Sequence, residues 1–180
     1  MTENNRGYEV GTESALYKIV LILHILVAII GIGTVFLNGL YGAESKKRPG
    51  PGGLAISQAN YRVSMIAENF IYAILVLGLV LVWLSDGQWA FSQIWVWLSI
   101  VLFVISLGVS HAVLLPRVRR MNALGEELAA GGPPPAGAPA GPPPQVAMME
   151  ALGKQVGAAS GVLHLMTLAL LYLMVFKPGA

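Results

Sequence analysis

Four runs of mostly apolar residues, at 19–41, 63–84, 91–115 and 156–176, decide what this chain can fold into. Each is long enough to cross the hydrocarbon core of a bilayer as a helix, which takes about 20 residues. Four buried helices of a soluble core would need polar faces to hold the chain in water. The sequence has none to spare: 56% of its residues are apolar and 11% charged, against about 25% charged in an ordinary soluble domain. The expected fold is therefore all-α, a four-helix transmembrane bundle over residues 19–176, between an N-terminal tail (1–18) and a short C-terminal tail (177–180). Its first partner is the lipid bilayer. A net charge of +2 leaves no basic face for nucleic acid. The absence of cysteine removes disulfides, thiolate zinc sites, iron–sulfur clusters and cysteine nucleophiles.

The first run is not a secretory signal. Glu3, Glu9 and Glu13 offset Arg6 and Lys18 ahead of it, the run exceeds a signal core, and no small-residue cleavage site follows. Orientation follows from the basic residues of the loops. Lys46, Lys47, Arg48 and Arg62 lie between the first two runs, and Arg117, Arg119, Arg120 and Lys154 between the last two. The termini carry only Arg6, Lys18 and Lys177, and the turn at 85–90 has no basic residue. Both termini are thus expected outside and the two basic loops in the cytoplasm, in a multi-pass protein of the bacterial plasma membrane. The aromatic belts agree, with Tyr17, Trp83, Trp89 and Tyr172 at outer ends and Tyr41 and Tyr61 at inner ones.

The Pro-Gly-Pro-Gly-Gly stretch at 49–53 reads as a non-helical turn. In the longest connection, 119–130 reads as a polar helix continuing the third span, and 148–155 as a helical turn leading into the fourth. Between them 131–144 is a low-complexity Pro-rich spacer favouring polyproline II. Antiparallel packing of the two polar pieces would let Glu126, Glu127 and Glu150 face Arg119, Arg120 and Lys154, for little energy if exposed.

Ionisable groups at membrane depth are costly unless paired or solvated. Here they are His24, Glu68, His111 and His164, with Asn38 and Asn69 as uncharged companions, and all three histidines of the chain are among them. A rise of about 1.5 Å per residue puts His24 roughly 8 Å and His164 roughly 18 Å below the outer edge. By the same rise His111 lies about 6 Å and Glu68 about 8 Å from the inner edge, level with one another.

Two chemical pictures follow. His24 with His164, or with His111, supplies axial nitrogens to a haem b, with glycines and alanines at 31, 33 and 157–161 letting a flat macrocycle approach. Alternatively Glu68 and His111 form a buried acid–imidazole pair that relays protons, or that holds a metal with a third ligand such as His24. Set against both, each polar group simply bonds across the bundle, and the glycines are packing surface. Met65, Met166 and Met174 suggest copper only weakly, because Met in apolar spans is ordinarily packing. Gly31-Ile-Gly33 follows no strand and is no nucleotide fingerprint, and Ser110 beside His111 has no acid to complete a hydrolytic triad.

The stretches LHILVAIIGIGTVFLNGLYG (23–42), GLAISQANYRVSMIAENFIYA (53–73), SDGQWAFSQIWVWLS (85–99) and GVSHAVLLP (108–116) resemble an uncharacterised family of small four-span bacterial, largely actinobacterial, integral membrane proteins. With the Pro-rich loop and the Lys-Pro-Gly end, the resemblance covers nearly the whole chain. That family is distantly similar to CopD-like and HemJ-like membrane proteins, linked to copper import and haem synthesis, and the resemblance maps His24 onto their first-span histidine. The functional expectation is a haem-b or redox-linked membrane protein. The alternatives are a non-catalytic accessory subunit of a larger membrane complex and a small proton or metal transporter. Orientation is checked by single cysteines at Ser45 and Asp86: Asp86→Cys should label from outside and Ser45→Cys only after permeabilisation, whereas outside labelling of Ser45→Cys would invert the topology.

Overall fold

The computed structural model describes residues 11–132 and 141–180. Expectations for Glu3, Arg6 and Glu9, and for most of the Pro-rich stretch 131–144, fall on residues outside these. The described residues form four long helical rods and no strand. All four are long and apolar enough to cross a membrane, making the chain a multi-pass integral membrane protein with an all-α, four-helix bundle.

The first rod, α1 (Ala15–Lys47), opens at Ser14, whose hydroxyl accepts the Tyr17 N–H at 3.1 Å. That bond satisfies one of the amides a helix start leaves unpaired. Lys46 and Lys47 in its last turn complement the helix dipole. The Lys18 ammonium, in the first turn of α1, sits 2.8 Å from Glu13 just ahead of the helix and holds that carboxyl below its usual range. Both groups are exposed, so the pair adds little stability.

The second rod, α2 (Pro51–Leu84), corrects the reading of residues 49–53 as non-helical. Only Arg48, Pro49 and Gly50 turn, with Gly50 at φ +75°, and Pro51 begins the helix at its first position. Proline suits that position because its missing N–H would have had no partner there. Gly53 then lies directly under the end of α1. A Cβ at this residue would overlap the Arg48 carbonyl, and the Ser45 hydroxyl donates to the Gly53 carbonyl at 2.7 Å. The helix thus starts twelve residues before the apolar run it contains, since hydropathy marks contact with lipid and not helix length.

The α1–α2 seam repeats every seven residues. His24 packs on Gly78, Gly31 on Ile71 and Ile74, and Asn38 accepts from the Ser64 hydroxyl at 3.0 Å. A seven-residue contact repeat keeps two helices in touch with a shallow left-handed crossing. At Gly31 the missing side chain sets the approach, because a Cβ would sit 3.1 Å from Ile71 Cγ1 and 3.3 Å from its backbone nitrogen.

The turn into the third rod is held by Ser85, whose hydroxyl donates to the Val82 carbonyl and accepts from the Trp89 N–H, with Asp86 and Gly87 at positive φ. The rod is continuous from Ile94 to Ala130: α3 (Ile94–Val109), one π-helical turn (Ser110–Leu114) and α4 (Leu115–Ala130). Pro116 explains the irregular turn. It has no N–H for the Ala112 carbonyl and its ring crowds that group. One extra residue is taken up, so that the Leu115 N–H bonds Ser110, five residues back. The polar α4 lies on the start of α2, with Leu124 1% exposed, Ser57 donating to Asn122 at 2.6 Å and Arg119 donating to the Tyr61 hydroxyl at 2.6 Å. Glu126 accepts from Gln58 and Glu127 pairs with Arg120 inside α4, where facing of α4 and α5 was expected.

The last rod, α5 (Pro144–Phe176), starts on a proline and ends at Lys177 in the left-handed region. Arg117 ties it to α4 through Gln155 at 2.6 Å. Both described chain ends and the turn at 85–90 share one end of the bundle, the terminal end; the α1–α2 turn and α4 share the other, the loop end. Ile22, Ile29, Ile66 and Leu165 are among the many large apolar side chains facing outward, a surface suited to acyl chains. Gly53→Ala should destabilise the bundle by about 1–3 kcal/mol, as overpacking against rigid backbone does. Unfolding in mixed micelles would measure this, with Gly52→Ala, which meets only the Arg48 Cβ at 3.9 Å, as the near-neutral control.

Candidate functional site

The four ionisable candidates at membrane depth separate into three places. Glu68 and His111 come together. His24 lies toward the terminal end, on Gly78. His164 stacks on Phe36, ring centroids 4.6 Å apart. Phe36 is twelve residues along α1 from His24, about 18 Å of helix rise, so His24 and His164 do not share a ligand. His111 engages Glu68 and Tyr72, whereas His24 packs on Gly78, six residues and about 9 Å of rise beyond Tyr72, so this second pairing does not form either. Among the described residues no three histidines or carboxylates converge as a metal site would require; His24, His111 and Glu68 therefore do not form one set of ligands.

The Glu68–His111 centre gains a third member, Tyr72, one turn along α2 from Glu68. The π turn presents His111 to them. Its Nδ1 lies 2.9 Å from the Leu107 carbonyl, which can only accept, so Nδ1 carries a proton and Nε2 faces the pair. The Tyr72 hydroxyl lies 2.7 Å from Glu68 Oε1 and 2.8 Å from His111 Nε2, and Nε2 also contacts Glu68 directly. Every contact is satisfied if Nε2 is protonated and Glu68 ionised. Moving that proton to Glu68 for donation to Tyr72 would leave the direct Nε2–Glu68 contact without a hydrogen, so the contacts favour the ion pair. Its exposure is uneven: the Glu68 side chain is 15% exposed and that of His111 43%.

The His24 site is a cleft. Near the terminal end α1 packs on α2 through Tyr17, Leu81 and Leu84, while α3 packs on α5 through Trp95, Val96 and Leu173. The two pairs part between these clusters. Two adjoining cavities of about 370 and 380 Å³ share His24, Ile25, Ile74, Phe103, Leu170 and Met174 as walls. The walls are almost wholly apolar, and each volume is within the range of small-molecule sites. The polar features are few. His24 Nδ1 is buried without a hydrogen-bond partner, the Ile74 carbonyl lying beside the ring but making no well-aligned bond. The Lys177 ammonium closes the terminal end, 4.0 Å from the Trp89 ring centroid and 5.6 Å from that of Trp95. Gly33 lines the cleft, while Gly157 and Gly161 face open space.

Sequence reasoning missed Tyr72 and Lys177 as site members and set Met174 aside as packing. Tyr72 carried a signal, four residues after an intramembrane Glu, where two side chains share a helix face. Lys177 carried none, and Met174 only a weak one, since only the angle of α5 brings them to His24. No family model, curated protein or solved structure matches this chain.

A double-mutant cycle with Glu68→Ala and His111→Ala should give a coupling of about 1–2 kcal/mol, at the upper end for hydrogen bonds between membrane helices. Reversible unfolding in mixed micelles measures it. Coupling near zero would show that the contact holds nothing together.

Proposed function

We propose that this integral membrane protein binds haem b in the cleft beside His24. The single observation that carries the reading is the His24 imidazole in the wall of an otherwise apolar intramembrane cavity, with its Nδ1 buried beside Gly78 and without a hydrogen-bond partner. Such an imidazole is what an axial ligand requires. Met174 lines the same cleft and offers a thioether as a second donor from the chain, a His/Met combination that haem iron accepts. Lys177 at the terminal end suits an anionic ligand edge, and Trp89, Trp95 and Phe103 suit a flat apolar face. Bound there, haem b would supply one-electron redox chemistry. What the chain contributes is the ligand atoms, a dry wall and one cation. The resemblance to HemJ-like and CopD-like proteins, with its first-span histidine at His24, leads to the same residue. In this reading the protein lies in a bacterial plasma membrane with its basic loop end in the cytoplasm, placing the cleft in the outer leaflet.

A second reading, as an accessory subunit that packs against a membrane partner or a second copy, is favoured by the outward exposure of the polar Tyr72, His111 and Asn69.

Purification in mild detergent followed by oxidised and dithionite-reduced absorption spectra tests the haem assignment. A Soret band at near-stoichiometric loading is expected, lost in His24→Ala and retained in Glu68→Gln. A protein loaded with haem-saturated medium yet showing only the aromatic band, or a Soret band unchanged in His24→Ala, would overturn it.

A further inference from the structure

The loop-end half of α2 carries polar side chains at Ser57, Asn60, Tyr61, Ser64, Glu68 and Tyr72. Ser57, Tyr61, Ser64, Glu68 and Tyr72 follow one another in steps of three and four, with Asn60 beside them four residues before Ser64, so all six share one helix face over about 22 Å of rise. None of the six is fully buried. Their partners come from other rods: Asn122 at Ser57, Arg119 at Tyr61, Asn38 at Ser64 and His111 at Tyr72. One group has no partner at all. The Asn60 Oδ1 is buried and unbonded, a position that ordinarily holds a water in a folded protein. Beyond Tyr72 the same face continues with Leu75, Val76 and Leu79, which carry nothing polar. Tyr72 lies eleven residues from Tyr61, about 16 Å and so roughly half the thickness of the hydrocarbon core.

We propose that this face is a hydrated path by which protons pass between the loop-end solution and the Glu68–Tyr72–His111 centre in the loop-end half of the membrane. The path is one-sided. Water enters past Tyr61 and Arg119, Asn60 and Ser64 offer it hydrogen bonds, and the centre takes up or releases one proton. In the ion-pair form, a hydronium arriving along the path gives its proton to the Glu68 carboxylate and leaves a water molecule. Release returns it to the same side, and only O–H bonds form and break. The charged and titratable groups facing the path are few: Arg119 from α4 at Tyr61, His111 from the π turn at the centre, and Arg117, which is turned to the Val113 carbonyl and Gln155. From α1 the facing group is the uncharged Asn38, and from α5 His164 is turned to Phe36.

The natural chain has no cysteine, so single cysteines report on water along the path. Ser64→Cys should react with a charged, membrane-impermeant methanethiosulfonate added at the loop end at least about tenfold faster than Ile66→Cys, because the thiolate that attacks the reagent and expels methanesulfinate forms only in water. Ile66 is a lipid-facing control at the same depth, 63% exposed. Equal rates, or reaction only from the terminal end, would overturn the proposal. The unsubstituted protein supplies a second test. Infrared difference spectra between acidic and alkaline buffer should contain a carboxyl C=O band that shifts in D2O and is absent from Glu68→Gln. A spectrum without that band would overturn the proposal whatever the cysteine variants do. Neither measurement involves the His24 cleft, so its outcome is separate from that of the haem assignment.

Discussion

The close approach of α1 and α2 sets the rest of the architecture. Lipid offers no hydrophobic drive between helices, so association depends on packing and on hydrogen bonds across the interface. The seam at His24, Gly31 and Asn38 has both: an absent side chain at Gly31 and a bond from Ser64 to Asn38. The tight turn at Gly53 then fixes the register from the loop end. With this hairpin rigid, the other two rods must close around it. They do so at the loop end, where α4 lies on α2 and Arg117 ties α4 to α5. Toward the terminal end α3 and α5 pack on each other instead, and the space left between the two pairs is the cleft.

Pro116 has a similar reach. By removing one backbone donor it forces a π turn, and that turn carries His111. A side chain in a π turn is rotated from where a regular helix would put it, and such turns recur at functional sites. Here the rotation coincides with a bond from His111 Nδ1 to Leu107, which leaves Nε2 free for Glu68 and Tyr72. An intramembrane carboxylate is thereby paired and hydrogen-bonded, the condition under which such a group is tolerated at depth. The Glu68 and His24 sites are thus unlike in kind: one is held by hydrogen bonds, whereas His24 Nδ1, like His164 Nε2, is buried without a partner.

Much of this was legible before any coordinates. The spans follow from hydropathy alone, because the free energy of burying some twenty apolar residues in lipid overrides every local preference. That Glu68 and His111 lie level follows from the fixed rise of a helix. The ends of the helices were not legible: α2 starts at Pro51 and α1 runs on to Lys47, because outside the hydrocarbon a helix continues on local propensity and capping. The seven-residue repeat of His24, Gly31 and Asn38 was present in the sequence, but a repeat shows which face packs and not against what.

The sequence by itself determined four membrane-crossing helices, a polar α4 continuing the third, and the depth of each ionisable residue. Depth is one coordinate, and the rise of a helix supplies it. Which residues meet needs the other two, rotation about each helix axis and the angle between axes, and these arise only when all four rods pack at once. Tertiary structure therefore decided that Tyr72 joins Glu68 and His111, that His164 faces Phe36 and not His24, and that Met174 and Lys177 share a cleft with His24.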